Sequence, residues 1–107
     1  MHANYQQPVI TELPKDHLTK REREEVILPC KASGTPTPKI AAWLKDDVPV
    51  SLNTGQYELL TNGGLKMRIV TRNMAGEYQC VASNDQGGVI SEKRKFIVAC
   101  MLTLFSS

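Results

Sequence analysis

The sequence predicts an all-β sandwich. Short segments alternate apolar and polar residues with period two, turn chemistry recurs about every 8–12 residues, and no helical periodicity competes over a useful length. A chain of 107 residues is one domain, able to bury roughly 65% of the surface it exposes when unfolded. Thirteen Lys+Arg against eleven Asp+Glu leave a net charge of +2, too small for a nucleic-acid binder to be expected. Apolar residues at 41% and charged residues at 22% fit a soluble globular chain, and no apolar run approaches the roughly 18 residues of a membrane span.

The elements follow in order. Pro8 to Pro14 is an extended segment between prolines, suited to a sheet edge. Lys20 to Glu25 is a charged run that forms a polar turn. In the next strand Val26, Leu28, Cys30 and Ala32 share one face, and Pro29 implies an unpaired position or bulge. Ser33 to Pro38 is a loop whose prolines exclude helix. Lys39 to Lys45 is a strand carrying the single tryptophan, Trp43, and Asp46-Asp47 turns the chain. Tyr57 to Thr61 pairs with Leu65 to Val70 around Asn62-Gly63-Gly64, residues that accept positive φ. In the second strand of that hairpin Leu65, Met67 and Ile69 point inward. Glu77 to Ser83 alternates with Tyr78, Cys80 and Ala82 inward, Asn84 to Gly88 is a second hairpin turn, and Val89 to Ala99 is the last strand.

The ends are less regular. Met1 to Gln7 is a polar tail without the basic start and apolar stretch of a signal peptide, as expected of a cytosolic protein or of a piece of a longer secreted chain. Residues 100–107 form an apolar tail, either a linker or a segment that adds to a sheet edge or a partner. Cys100 lies there as the odd one of three cysteines, either a free thiol or one half of an intermolecular bridge.

Cys30, Trp43, Tyr78 and Cys80 stand in an order and spacing that resembles the immunoglobulin superfamily domain. Further motifs resemble its I-set: Gly34-x-Pro36-x-Pro38, Leu65-x-Met67-x-Ile69, Ala75-Gly76-Glu77-Tyr78-Gln79-Cys80 and Ala82-Ser83-Asn84-x-x-Gly87. The resemblance spans residues 8–99. It implies a Greek-key sandwich whose two sheets are joined by a Cys30–Cys80 disulfide, with a core that includes Trp43, Tyr78, Leu28, Leu65, Met67 and Ile69. Trp43 fills the space beside the sulfurs, and the Tyr78 hydroxyl bonds loop backbone. Two departures from the family pattern have structural consequences. Met74 stands where the family usually has an Asp, so Met74 is expected to cover the end of the core. Four residues separate Pro38 from Trp43 where three are usual, so a bulge is expected near Ile40 or Ala41. The last strand is also one residue long, with Gly88 expected to absorb the surplus and Phe96 and Val98 expected inward.

No residue pattern points to catalysis. G-x-S-x-G, P-loop and G-x-G-x-x-G motifs are absent, as are C-x-x-C pairs and N-x-[ST] sequons. No cofactor or metal is expected. Lys66 and Arg68 on one strand, and Lys93 and Lys95 on the last, are either edge protection or contacts for a protein partner or an acidic polysaccharide. The resemblance implies that the two groups lie on different sheets. It also implies a non-enzymatic recognition or spacer module of an extracellular or cell-surface protein, presenting a strand face or loops to a protein partner, with the sheet that holds Trp43, Cys80 and the last strand as the expected face, or binding itself through an edge strand or the 100–107 tail. The alternative is a cytoplasmic module of a muscle or cytoskeletal scaffold with reduced cysteines.

Overall fold

The structure, a computed structural model, describes residues 5–52 and 54–99. Its strand segments are β1 (Gln6–Glu12), β2 (Leu18–Arg21), β3 (Val26–Leu28), β4 (Lys31–Thr35), β5 (Lys39–Lys45), β6 (Val48–Pro49), β7 (Tyr57–Leu59), β8 (Leu65–Met67), β9 (Gly76–Asn84), β10 (Gly87–Ile90) and β11 (Arg94–Ala99). One layer holds the pair β1–β4 and the sheet β3–β8–β7. The other runs β2–β11–β9–β5–β6, with β10 also on β9. β3 and β4 are halves of one strand, interrupted where Pro29 has no N–H to give. The first strand is split too. β1 pairs antiparallel with β4, the chain crosses at Pro14–His17, and β2 pairs parallel with β11. The crossing is tied down by Arg94 Nε donating to Pro14 O (3.0 Å) and Lys95 N–H donating to Asp16 Oδ1 (2.8 Å). β1 begins at Gln6, which lies opposite Thr35.

Inward rows are set by cross-strand register, since directly opposed residues share a face. Val26–Met67–Tyr57 and Leu28–Leu65–Leu59 form rows from one sheet, while Trp43–Cys80 and Ile40–Ala82 face them from the other. Cys30 and Cys80 are bonded across the layers and both are buried. Trp43 is buried, and its Nε1–H donates to Gly63 O at 3.0 Å, so one indole ties the β7–β8 hairpin to the opposite layer. Gly63 must be glycine there. Its φ is +94°, and a Cβ would stand 2.4 Å from Ile40 Cγ1.

The Tyr78 ring is buried edge-on to Phe96, and its hydroxyl donates to Met74 O at 2.6 Å. Met74 is buried and closes the end of the core, as its position before Gly76 predicts. Asp46 and Asp47, at φ +50° and +71°, make the left-handed two-residue turn that joins β5 to β6. The Asp46 carboxylate accepts the Glu77 N–H (3.0 Å) and pairs with Lys45 Nζ (3.1 Å), which holds its pKa below the ordinary carboxylate value. It also occupies the space of a Cβ at residue 76, which would lie 2.7 Å from Asp46 Oδ2.

Three expectations about register meet different fates. The bulge in β5 falls where it is predicted: Ile40 opposes Ala82 while Ala42 opposes Val81, which leaves Ala41 extra. The surplus residue of the last strand is absorbed elsewhere than Gly88, which pairs regularly with Ser83. Ile90 opposes Val81 and Arg94 opposes Tyr78, four steps against three, so the break lies at Ser91–Lys93. Ser91 stabilises it. This buried residue accepts the Cys80 N–H on Oγ and gives its own N–H to Cys80 O, both at 2.9 Å. Finally, Ile69 is not in the core. It is 57% exposed, because β8 ends at Met67 and the chain bends at Arg68–Ile69. The bend shifts the alternation by one residue and buries Val70, whose N–H and C=O bond Glu24 O and Arg23 N.

Candidate recognition surfaces

The basic residues singled out from sequence are dispersed, and two of the four are engaged in ion pairs. Lys66 on β8 is partly buried and bridges Glu25 at 3.3 Å. Arg68 lies in the bend after β8 and is exposed. Lys93 falls in the break between β10 and β11 rather than on a strand, and it bridges Asp47 at 3.2 Å, which raises its pKa. Lys95 is exposed on β11. β8 and β11 belong to different layers, so these residues do not form one cationic patch. Cys100 and the 100–107 tail lie outside the described residues.

A different surface emerges on the larger sheet. In β9 the buried side chains are Tyr78, Cys80 and Ala82, so Gln79, Val81 and Ser83 face away from the core. Val81 lies between Ala42 on β5 and Ile90 on β10, and these three share the outer face. Ile90 is 56% exposed and Val81 and Ala42 half-buried. Leu44, opposite Gln79 and Pro49, extends the apolar row on one side, while Lys39 and Ser83 bound it on the other. The centre is apolar and its margin polar, the arrangement of a recognition surface. The grooves elsewhere are open, such as one of about 480 Å³ between β4 and the β7–β8 hairpin, lined by Lys31, Lys39 and Thr61. Among the described residues no three His, Cys, Asp or Glu side chains come together as metal ligands.

The sequence points to the sheet of Trp43, Cys80 and the last strand as the partner face, but it does not single out this row. Val81 sits among polar neighbours on a strand whose other face is the core, and that alternation was the available signal. Joining Val81 to Ala42 and Ile90 requires the β5 bulge and the β10 register. No helix among the described residues is long and apolar enough to cross a membrane.

The chain belongs to the immunoglobulin domain family, whose family model matches residues 7–84. Mouse sidekick-1 is 36% identical over 83 residues, covering 77% of this chain and 4% of that protein. The N-terminal Ig1-2 module of the Drosophila receptor protein tyrosine phosphatase DLAR superposes with a TM-score of 0.79 at 33% identity, covering 86% of this chain and 45% of that one. Extracellular domains 3-5 of Drosophila OTK superpose with a TM-score of 0.78 at 28% identity, covering 89% of this chain and 32% of that one. The chain therefore spans a small part of the full-length relative and less than half of either solved segment. What the two solved segments share with it is the fold.

Proposed function

We propose that this domain is a non-enzymatic protein-recognition module in the extracellular part of a cell-surface adhesion or receptor protein. It meets a protein partner through the outer face of β5, β9 and β10. The observation that supports this is the apolar row Ala42–Val81–Ile90, which the core does not require and which leaves Ile90 more than half exposed. The similarity to a receptor phosphatase module and to extracellular OTK domains supports the placement. The Cys30–Cys80 bond supports an oxidising compartment over a scaffold with reduced cysteines.

Photo-crosslinking tests the surface. A benzophenone side chain is placed at position 90, or at Thr61 on the hairpin loop as control, and the protein is added to intact cells. Strong crosslinks to protein from position 90 and few from 61 are expected. Equal labelling from both positions overturns the assignment of this face. Alkylating unreduced, denatured protein from its native source tests the compartment: reactive Cys30 and Cys80 would overturn the extracellular placement.

A further inference from the structure

The split first strand leaves one side of the sandwich open. β1 pairs with β4, the chain crosses at Pro14–His17, and β2 pairs with β11 in the other layer. β3 therefore has β8 on one side and no strand on the other. The register shows which peptide groups line that free edge. If Leu28–Leu65 were a non-bonded pair, residue 29 would have to donate to Gly64, and Pro29 has no N–H. Leu28–Leu65 and Val26–Met67 are therefore the hydrogen-bonded pairs, and the N–H and C=O of Ile27 point away from β8. Among the described residues neither has a partner. β2 presents a similar edge. Glu22 N–H donates to Ala99 O at 3.2 Å, so by alternation Thr19 and Arg21 turn their peptide groups away from β11. The turn uses those of Arg21, whose N–H donates to Glu24 Oε1 (2.7 Å) and whose C=O accepts the Glu24 N–H (3.3 Å). Those of Thr19 have no partner among the described residues. Residues of both strands line one open groove of about 440 Å³, with Leu18, Val26, Ile27 and Pro29 as its apolar part and Lys15 and Lys20 as its cations. Its one carboxylate, Glu25, is held by Lys66 at 3.3 Å, whereas the two lysines have no ion-pair partner among the described residues. Lys15 follows the crossing and Lys20 precedes the turn into β3, so they stand toward opposite ends of the groove.

We propose that this groove takes an extended acidic segment of a partner protein, added as a strand to the free edge of β3. Paired antiparallel, as β1 is with β4 in the other half of the same strand, one residue of the segment exchanges both hydrogen bonds with Ile27. Its two neighbours turn inward toward Leu18 and Val26, so they are apolar. Acidic side chains further out on that same face meet Lys15 and Lys20 and fix the register. The unpaired lysines select the occupant. A second copy would bring two more cations to the groove, and residues 100–107 hold no acid to answer those already there. This inference does not rest on the β5–β9–β10 face.

The test is NMR titration and amide hydrogen exchange on the full chain carrying Cys100→Ser, which removes covalent dimers. The probe is a blocked peptide of about seven residues in which threonine and valine alternate between terminal glutamates. In the free domain the Ile27 amide exchanges fast beside the protected amides of Val26 and Leu28. The peptide binds with a Kd on the order of 0.1 mM and slows Ile27 exchange by at least about tenfold. N-methylation of its central threonine, whose N–H meets Ile27 O, weakens binding by at least about tenfold. Lys15→Glu and Lys20→Glu together abolish binding of this peptide and admit one that ends in lysines. Circular dichroism confirms that the variants fold, and Lys15→Gln and Lys20→Gln replace any reversal that does not. No binding at about 2 mM peptide, equal binding of the acidic and the lysine-ended peptide by the unreversed domain, or binding that leaves the Ile27 amide unprotected overturns the proposal. Protection without peptide also overturns it: protection that grows with domain concentration assigns the edge to a second copy, and protection that vanishes when residues 100–107 are removed assigns it to the chain's own tail. Loss of the crosslink at position 90 would leave it standing.

Discussion

Replacing Tyr78 by Phe removes one oxygen atom and tests how the core is closed. That oxygen has two partners, Met74 O at 2.6 Å and Tyr57 Oη at 3.0 Å. A carbonyl can only accept, so the Tyr78 hydroxyl donates to Met74 and the Tyr57 hydroxyl donates to Tyr78. The two changes to Phe are therefore unequal. Tyr57→Phe deletes one donor and leaves the Met74 bond intact, a loss of about 0.5–1.5 kcal/mol. Tyr78→Phe deletes both bonds and leaves the Met74 carbonyl without its donor in a buried site, a loss of about 2–3 kcal/mol. Urea unfolding measures both, and each kcal/mol also lowers Tm by about 4–8 °C in a domain near this size. The alkaline limb adds a second signature. Burial and the Tyr57 hydroxyl raise the Tyr78 pKa above its ordinary value of 10. Above that pH the unfolded chain releases a proton that the folded one retains, so stability is complete below pH 10 and falls as pH rises. The slope from this group is about 1.4 kcal/mol per pH unit, and Tyr78→Phe lacks it. A loss from Tyr57→Phe equal to or larger than that from Tyr78→Phe, or an unchanged alkaline slope, would refute the donor assignment.

Three further outcomes follow from the same structure. Removing the disulfide with Cys30→Ala and Cys80→Ala, which opens a sequence separation of 50, costs about 4 kcal/mol by loop entropy; unfolding in urea checks this, and a loss below about 1 kcal/mol would contradict it. Gly63→Ala combines a left-handed φ with a Cβ only 2.4 Å from Ile40, so it destabilises by more than about 2 kcal/mol, read from the urea midpoint at constant m. Asp46→Asn keeps a residue that tolerates the left-handed turn but removes the charge that the Glu77 N–H and Lys45 stabilise. The Asp46 pKa is lowered on folding, so its contribution is present above about pH 4 and fades as pH falls through the folded value. Wild type and variant therefore differ in Tm at pH 7 and converge in strong acid; a gap that persists at pH 2 would assign the effect to the turn and not to the charge.

Much of this fold could be read before any coordinates, for a stated reason. Period-two alternation reports the core face wherever a strand runs unbroken, and Val26, Leu28, Tyr78, Cys80 and Ala82 all lie where it puts them. It fails where a strand stops or slips. Ile69 continues the pattern of Leu65 and Met67 in sequence, but the chain has already bent, and Val70 takes the inward place. Gly88 is the locally permissive residue for a bulge, yet the break forms at Ser91. A serine there can replace the ladder bond that Cys80 would otherwise lose, and that compensation is visible only with the partner strand in place. The surfaces fail for the same reason. Lys66 could be named from sequence, but Glu25 as its partner depends on the pairing of β3 with β8.

This division explains how one scaffold can leave an outer face free of the core's demands. Strand pairing, the Cys30–Cys80 bond, the Trp43–Gly63 link and the Tyr78–Met74 link all lie between or within the layers. None of them uses the side chain of Ile90 or Val81. The outward positions of each sheet are thus free of the constraints that fix the inward ones. On the larger sheet they carry the apolar row Ala42–Val81–Ile90. Ile90→Ser should then leave the free energy of unfolding in urea within about 0.5 kcal/mol of wild type while crosslinking to a partner falls. A loss of more than about 1 kcal/mol would refute the view that this row is free of the core's constraints.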